Sequence, residues 1–307
     1  MTNYFKFIKF ITFLFFAFFF QSTAFGQRDY DIVLDTSGGD TPMDVIFDPI
    51  NNLYYTLSGG ISSSPINIFN ESAQKVSGPD TVNWDQRSGW FNENQNRLET
   101  RAYNGGWGYL PTDSNGISNG NVISLNNFSP TISTQLQPDY ADHSDEIIVS
   151  TSETNIDVYK HSDGVFLRNI VINKPVGANF NQITIYSNSS STLIGKYDYT
   201  NKRLYWYPFT GGDHTTFIQI IDTAPNVGSS WGVGYANNKL WLWNNMYAYG
   251  PQQQLVFGYP AIPNSAPTNI SLSSSSVNEN VATGTTIGAL STTDSDSGDT
   301  HTYTLVS

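Results

Sequence analysis

Short runs of alternating apolar and polar residues, separated by clusters of turn-forming residues, fill the chain between Gln27 and about Pro263. A two-residue period is typical of β-strands, and the sequence of this region carries no convincing helical period. The composition agrees, because only 13% of residues are charged, whereas surface helices usually carry many Lys and Glu residues. We therefore predict that this region is all-β.

One element recurs along this region: a polar turn followed by an aliphatic residue and a strand. Its aliphatic positions are Leu53, Leu98, Ile147, Leu193 and Leu240. They lie about 45 to 49 residues apart, and one four-stranded propeller blade needs about 40 to 50 residues. We predict a β-propeller over residues 28–262 with five blades favoured. Six or seven blades are the alternatives in blade number, and a β-sandwich or another β-solenoid is the competing fold.

The strand pattern of the individual repeats also indicates how the ring closes. The fourth repeat contains four strand candidates, NQITIYS, STLIGKYDY, KRLYWYPF and TFIQIID, whereas the last repeat contains only WGVGYAN, KLWLWNN and QLVFGYP. Residues 29–35, DYDIVLD, form a spare strand near the N-terminus. Because closed propellers often build one blade from both chain ends, we expect this strand to complete the last blade. Trp206, Trp241 and Trp243 are expected to pack between blades.

The first 26 residues have the pattern of a secretory signal peptide. Lys6 and Lys9 precede an apolar run from Ile11 to Phe20, and Ala24-Phe25-Gly26 is a small-residue cleavage pattern. The apolar run is shorter than the roughly 20 residues that a membrane-spanning helix needs. We therefore expect an exported protein, either secreted or held at the cell surface on the extracellular face of an outer membrane.

Charge and cysteine content limit the partners and the means of stabilisation. The formal net charge is −12, so nucleic acid and anionic lipid are poor partners. The chain has no cysteine, so disulfides cannot stabilise it in an oxidising compartment. Stability is expected to come from the core or from bound ions.

The composition changes after the propeller region. Residues 263–268 read as a linker, and the sequence that follows is rich in Ser and contains neither Lys nor Arg. Five motifs occur there in order, namely Asn264-Ser-Ala-Pro267, Glu279-Asn280, Gly284-Thr-Thr-Ile-Gly-Ala-Leu290, Asp294-Ser-Asp296-Ser-Gly298 and the strand Tyr303-Thr-Leu-Val306. This series resembles the opening half of a bacterial cadherin-like tandem repeat. The resemblance implies that residues 269–307 form the first strands of an incomplete cadherin-like, immunoglobulin-like β-sandwich. Since two strands cannot bury a face alone, we expect the chain to be part of a longer protein with further repeats.

The same resemblance implies a calcium site formed by Glu279, Asp294 and Asp296. The chemistry agrees, because calcium takes six to eight oxygen ligands and two aspartates separated by one residue can converge in a bent loop. The linker contains Asn264 but no aspartate, so calcium at this junction is expected to be weak or to serve a later repeat. The alternative is a solvated turn without metal. An EF-hand is excluded, because Leu305 stands where that loop needs its last glutamate.

An enzyme acting on glycans is the alternative function. A propeller can bring carboxylates together in its central pocket, and the candidates are Asp44, Asp48, Asp85, Asp145 and Glu146. Each of them is expected near a strand that could line the axis, although carboxylates in exposed turns are the more common case. Exposed Trp90, Trp107 or Tyr109 could stack on sugar rings, or the tryptophans could pack inside a blade.

Other catalytic patterns are missing from the sequence. The histidines, His143, His161, His214 and His301, lack the spacing of a zinc-binding helix. Gly232 and Gly234 are interpreted as a bulge or a close contact of a strand, and not as a phosphate-binding loop.

These observations predict a calcium-binding adhesion or recognition protein and not an enzyme. The propeller would present the binding face, and the cadherin-like segment would form a stalk stiffened by calcium. The expected partner is a cell-surface protein or a glycan, with self-association through the cadherin-like repeats as a further option.

Overall fold

Each predicted repeat forms one antiparallel four-stranded sheet in the computed structural model of the chain. The structure describes residues 27–37, 41–103, 105–118, 121–125, 132–133, 135–187, 191–221, 233–243, 255–261, 267, 269–274, 276, 278, 280–293 and 303. The proposed signal peptide, residues 1–26, lies outside them. Across the described residues there is no helix long and apolar enough to cross a membrane.

The first two blades follow each other along the chain. Blade 1 consists of β3 (Thr41–Asp48), β4 (Leu53–Gly59), β5 (Pro65–Asn70) and β6 (Lys75–Thr81). Blade 2 consists of β7 (Gln86–Asn92), β8 (Arg97–Ala102), β9 (Trp107–Leu110) and β10 (Ile123–Ser124).

The next two blades repeat this order. Blade 3 consists of β11 (Asp139–Ala141), β12 (Glu146–Ser150), β13 (Asn155–Lys160) and β14 (Phe166–Val171). Blade 4 consists of β15 (Phe180–Ser187), β16 (Thr192–Asp198), β17 (Arg203–Pro208) and β18 (Thr216–Ile220). A short strand that the sequence did not predict, β1 (Gln27–Arg28), runs parallel to β18 along the outer edge of blade 4.

Blade 5 is built from both ends of the propeller sequence, as predicted. Its strands are β19 (Val233–Ala236), β20 (Lys239–Trp243), β21 (Leu255–Pro260) and, at the outer edge, β2 (Ile32–Asp35). The β2 strand pairs antiparallel with β21, so that Ile32 lies opposite Gly258. The innermost strands β3, β7, β11, β15 and β19 contact each other in a closed ring. The five-bladed propeller is thereby confirmed.

The recurring polar turn has a conformational reason. In blades 1, 2, 3 and 5 the turn between the first and second strands contains a residue with positive φ, and these residues are Asn52, Asn96, Asp145 and Asn238. Asn and Asp tolerate the left-handed region better than most other residues. The aliphatic residue that follows lies in the second strand of its blade, where Leu53, Ile147 and Leu240 are buried.

The apolar core is divided among the seams between adjacent blades. One cluster of buried apolar side chains occupies each of the five seams. Trp206 lies in the seam between blades 4 and 5, whereas Trp241 and Trp243 lie in the seam between blades 5 and 1. All three indoles are buried, as predicted.

The segment from residue 264 onward is a separate unit. Within it, β22 (Asn269–Leu272) pairs antiparallel with β23 (Leu290–Thr293). The hydroxyl groups of Ser271 and Ser291 are 2.7 Å apart across this pair. The residues predicted to bind calcium, Glu279, Asp294 and Asp296, lie outside the described residues.

Candidate functional site

A cavity of about 270 Å³ lies where the five innermost strands end. All five strands contribute to its wall, through Val45–Phe47, Gly89–Phe91, Asp139–Tyr140, Ile185–Ser187 and Tyr235–Ala236. The turns after these strands add Pro49, Glu93, Asp142, Asn237 and Asn238. We call this space the axial cavity.

Two aspartates on innermost strands connect neighbouring blades. Asp44 of blade 1 accepts hydrogen bonds from its neighbour Val45 N (2.8 Å) and from Gly89 N of blade 2 (3.1 Å). Asp139 of blade 3 accepts from Tyr140 N and from Ile185 N of blade 4, both at 2.7 Å. Each carboxylate therefore ties its blade to the next one.

The environment of these two carboxylates favours their neutral forms. Burial raises the pKa of Asp139 to about 7, and the N–H groups of Tyr140 and Ile185 only partly oppose this effect. Burial and the charge of Asp139 also raise the pKa of Asp44 well above its usual value. The centre of the ring is thus a place where negative charge is poorly solvated.

Asp142 and Glu93 form a second acidic pair, in the turns of blades 3 and 2. Asp142 Oδ1 accepts a hydrogen bond from Glu93 N at 3.3 Å, and Glu93 is exposed. Burial raises the pKa of Asp142 to about 7, with further contributions from the charges of Glu93, Asp145 and Glu99. Unlike Asp139, Asp142 has only one of its oxygens engaged by the described residues.

A buried polar network lies between blades 2 and 3, directly behind the cavity wall. Its centre is His161, whose Nε2 is 2.7 Å from Glu99 Oε2 and whose Nδ1 is 3.0 Å from Asp145 Oδ1. Glu99 and His161 are both almost fully buried. Two residues that line the cavity join the network, because Trp90 Nε1 donates to Glu99 and the Tyr140 hydroxyl donates to Asp145.

Charge pairing favours the ionised forms of Glu99 and His161. Burial raises the pKa of Glu99, but hydrogen bonds and charges from His161 and Arg97 outweigh that effect and lower the pKa overall. Burial lowers the pKa of His161, but Glu99 and Asp145 outweigh it and raise the pKa. The network holds blades 2 and 3 together, and its central residues, Glu99 and His161, are too deeply buried to contact a substrate.

The structure separates the five carboxylates that the sequence suggested as catalytic candidates. Asp44 joins the innermost strands of blades 1 and 2, as described above, and Asp145 belongs to the network around His161. Asp48 accepts hydrogen bonds from Ile50 N and Asn51 N in its own turn. Asp85 pairs with Arg87, and Glu146 pairs with Arg168. The structure therefore does not bring these candidates together in one pocket.

The structure decides between the two roles considered for the aromatic candidates, sugar stacking and packing inside a blade. Trp90 and Trp107 are buried and pack on each other with ring centroids 6.1 Å apart, so the interpretation as packing residues is correct. Tyr109 is partly buried, and the Arg97 guanidinium lies 4.7 Å from the centre of its ring. None of the three is an exposed sugar platform.

Gly234 is a close contact, as predicted. It lies in β19, and a Cβ atom at this position would collide with Asp44 Oδ1. Gly232 lies outside the described residues. Among the residues that the structure describes, no three His, Cys, Asp or Glu side chains are grouped so that they could hold a metal ion.

Sequence reasoning missed Asp139, Asp142 and Glu93. The strand that carries Asp139 has only three residues, too few for an alternating pattern. The repeat itself could have revealed the position. Asp44 and Gly89 stand nine residues before the recurring leucine of their blades, and Asp139 stands eight residues before Ile147.

Comparisons with known proteins support the fold alone. No protein-family model and no curated protein sequence matches the chain. A glutaminyl cyclase from Myxococcus xanthus has a similar structure, with a TM-score of 0.50 and 10% sequence identity. The match covers 76% of this chain and 97% of that one. At this identity the likeness carries the fold but no activity.

Proposed function

We propose that the protein is an exported recognition protein whose propeller binds a small chemical group in the axial cavity. The observation that carries the proposal is the convergence of all five blades on one cavity lined by carboxylates, amides and aromatic rings. Pockets that combine apolar walls with a few convergent polar groups are the usual ligand sites of proteins. The group would belong to a cell-surface protein or a glycan.

Binding is favoured over catalysis by the roles of the carboxylates. Asp44 and Asp139 each accept two backbone N–H bonds and tie blades together, so neither is available to act on a substrate. Among the described carboxylates that line the cavity, only Glu93 and Asp142 retain open oxygens. The similarity to a glutaminyl cyclase lends no activity to this chain at 10% identity.

The C-terminal segment would serve as a calcium-stiffened stalk. This part of the proposal rests on the sequence, in which Glu279, Asp294 and Asp296 stand where the cadherin-like pattern has its acidic ligands. Carboxylate oxygens are the ligands that calcium prefers. Export through the segment 1–26 would bring the protein to calcium outside the cell.

A glycan-active enzyme is the second candidate function, and one observation favours it. Asp142, with a pKa near 7, lies beside the exposed Glu93, and glycoside hydrolysis uses two carboxyl groups that differ in protonation. Hydrolysis of any member of a polysaccharide panel, lost in Glu93→Gln and Asp142→Asn, would replace the recognition proposal with this one.

Binding of the labelled full chain to a glycan array and to intact cells tests the recognition function. Glu93→Trp places an indole at the cavity mouth and should abolish binding. The matched control Asp163→Trp changes an exposed turn of blade 3 outside the cavity and should bind normally. If Glu93→Trp binds as well as the unmodified protein, the axial cavity is not the binding site.

The stalk is tested separately by calcium titration. In a protein that extends through the next complete repeat, calcium should raise the melting temperature of the C-terminal repeat, because a ligand that binds only the folded state stabilises it. Asp294→Ala combined with Asp296→Ala should remove the rise. An unchanged melting temperature with calcium and with chelator would reduce this loop to a solvated turn.

A further inference from the structure

The described charged side chains that line the axial cavity are all acidic. Glu93, Asp139 and Asp142 line it, and no Lys, Arg or His is found among its described lining residues. Both oxygens of Asp139 accept hydrogen bonds from backbone N–H groups, so this residue offers no free acceptor. The open acceptors are the second oxygen of Asp142 and the whole Glu93 carboxylate, which pairs with no described side chain.

Aromatic side chains provide a second, independent attraction for positive charge. Phe47, Tyr186 and Tyr235 line the cavity. Tyr186 and Tyr235 meet edge to face with centroids 6.1 Å apart, and Tyr235 packs in the same way on the buried Trp206. These contacts fix the two tyrosine rings before any ligand arrives. Aromatic rings attract cations through their quadrupole, most strongly where water is excluded.

The open carboxylate oxygens of Glu93 and Asp142 need hydrogen-bond donors, and this need limits which class of cation fits the cavity. A primary ammonium offers three N–H donors, which suits acceptors that converge from Glu93 and Asp142. A quaternary ammonium would leave both carboxylates without hydrogen bonds. A calcium ion needs six to eight oxygen ligands, whereas no three His, Cys, Asp or Glu side chains among the described residues are grouped to hold a metal ion. A neutral sugar would cover the carboxylates without balancing their charge.

We infer that the axial cavity binds its ligand through a protonated primary amine, with Glu93 and Asp142 as hydrogen-bond acceptors and the rings of Tyr186 and Tyr235 beside it. This inference rests on the proposed recognition function and specifies the chemical class of its ligand. An amino sugar and the free N-terminus of a peptide both carry this group.

The test uses probes that differ only at the amine. Glucosamine, glucose and N-acetylglucosamine form one set, and glycinamide and N-acetylglycinamide form the other. Calorimetric titration of the full chain should show each free amine binding at least about tenfold more tightly than its neutral counterpart, the ratio that one charged hydrogen bond supplies. The stronger of the two amines identifies the carrier as a sugar or a peptide.

Variants locate the binding to the cavity. Glu93→Gln and Asp142→Asn should each weaken amine binding by about tenfold and leave the weak binding of glucose unchanged. Asp163→Asn removes one exposed negative charge of blade 3 and should retain full affinity, which controls for a general loss of charge. A thermal melt of each variant confirms that the propeller is folded.

The outcomes separate the two proposals. If glucose and glucosamine bind equally and Glu93→Trp abolishes both, the amine inference is wrong while the cavity remains a recognition site. If amines bind with equal affinity to Glu93→Gln, Asp142→Asn and the unmodified chain, the assigned acceptors are wrong. If no free amine binds more tightly than its neutral counterpart, the inference is overturned, and the array experiment still decides the recognition function.

Discussion

Two seams of the same propeller are held together by different chemistry. Between blades 4 and 5 the packing is apolar and aromatic, with buried residues such as Trp206, Leu240 and Tyr259. Between blades 2 and 3 the described buried apolar residues are fewer, and a hydrogen-bonded network centred on Glu99 and His161, with Asp145 at its exposed end, joins the blades.

The difference teaches that the ring geometry does not dictate the chemistry of a seam. The apolar seam gains stability from area removed from water, which does not depend on pH near neutrality. The polar seam depends on charge pairs whose benefit is lost when one partner is removed or titrated. Trp90 and Tyr140 belong to both the polar seam and the cavity wall, so the seam and the candidate binding site share side chains.

The largest expected effect is in the apolar seam. Trp206→Ala should lower the free energy of unfolding by about 3–5 kcal/mol, because it removes a fully buried indole and leaves a cavity. Denaturant unfolding followed by circular dichroism measures this loss. Val165→Ala, at a side chain that is 55% exposed, is the control and should change the value by less than about 0.5 kcal/mol. A loss below about 1 kcal/mol for Trp206→Ala would mean that this seam does not stabilise the ring.

A smaller effect is expected in the polar seam. Glu99→Gln keeps the shape of the side chain but removes the charge that pairs with His161 and Arg97, so it should cost about 1.5–3 kcal/mol. The control Glu153→Gln breaks a more exposed pair with Lys174 and should cost at most about 1 kcal/mol. Equal losses for the two variants would show that the buried network contributes no more than a surface ion pair.

The smallest expected effect is on how the free energy of unfolding depends on pH. The pKa of Asp142 is about 7 in the folded protein, whereas its ordinary value is 3.8. The stability that this group contributes is therefore fully present below about pH 3.8 and is lost as the pH rises through about 7. The raised pKa values of His161 and Asp139 act in the same direction. The lowered pKa of Glu99 acts in the opposite direction and withdraws stability as the solution becomes strongly acidic. Burial lowers the pKa of Lys196 to about 7, so this group adds stability as pH rises above about 7 and opposes the loss. Because Asp44, Asp139, Asp142 and His161 all act in the first direction, we expect the protein to be less stable at about pH 8.5 than at about pH 6.

Asp142→Asn isolates the contribution of this group. Asparagine keeps an oxygen for Glu93 N but cannot ionise, so the variant should lose less stability than the unmodified protein between the two pH values. Unfolding curves at both pH values measure the difference. An unchanged pH dependence in the variant would show that Asp142 does not titrate in this range.

The repeating scaffold could be predicted from the sequence, whereas the site could not. The period of the aliphatic residues and the spare strand at residues 29–35 led to five blades and to the correct closure, because both depend on local patterns. The sequence offered Asp48, Asp85 and Glu146 only as candidates, with ordinary turn roles favoured, because proximity to a strand does not say whether a carboxylate faces the cavity, its own turn or a neighbouring arginine. Asp142 and Glu93 come together only when blades 2 and 3 are adjacent in space, a relation that is not encoded in the local sequence of either turn.

The closure of blade 5 also sets how the propeller would respond to tension. The chain leaves the propeller after β21, and this strand is paired on one side with β20 and on the other with β2. A pull on the chain beyond Ala261 must therefore break two ladders of backbone hydrogen bonds to remove β21 from the sheet, whereas an edge strand would lose only one. The segment Ile32–Asp35, which closes the ring, would thus also hold the exit strand against force applied to the chain beyond Ala261.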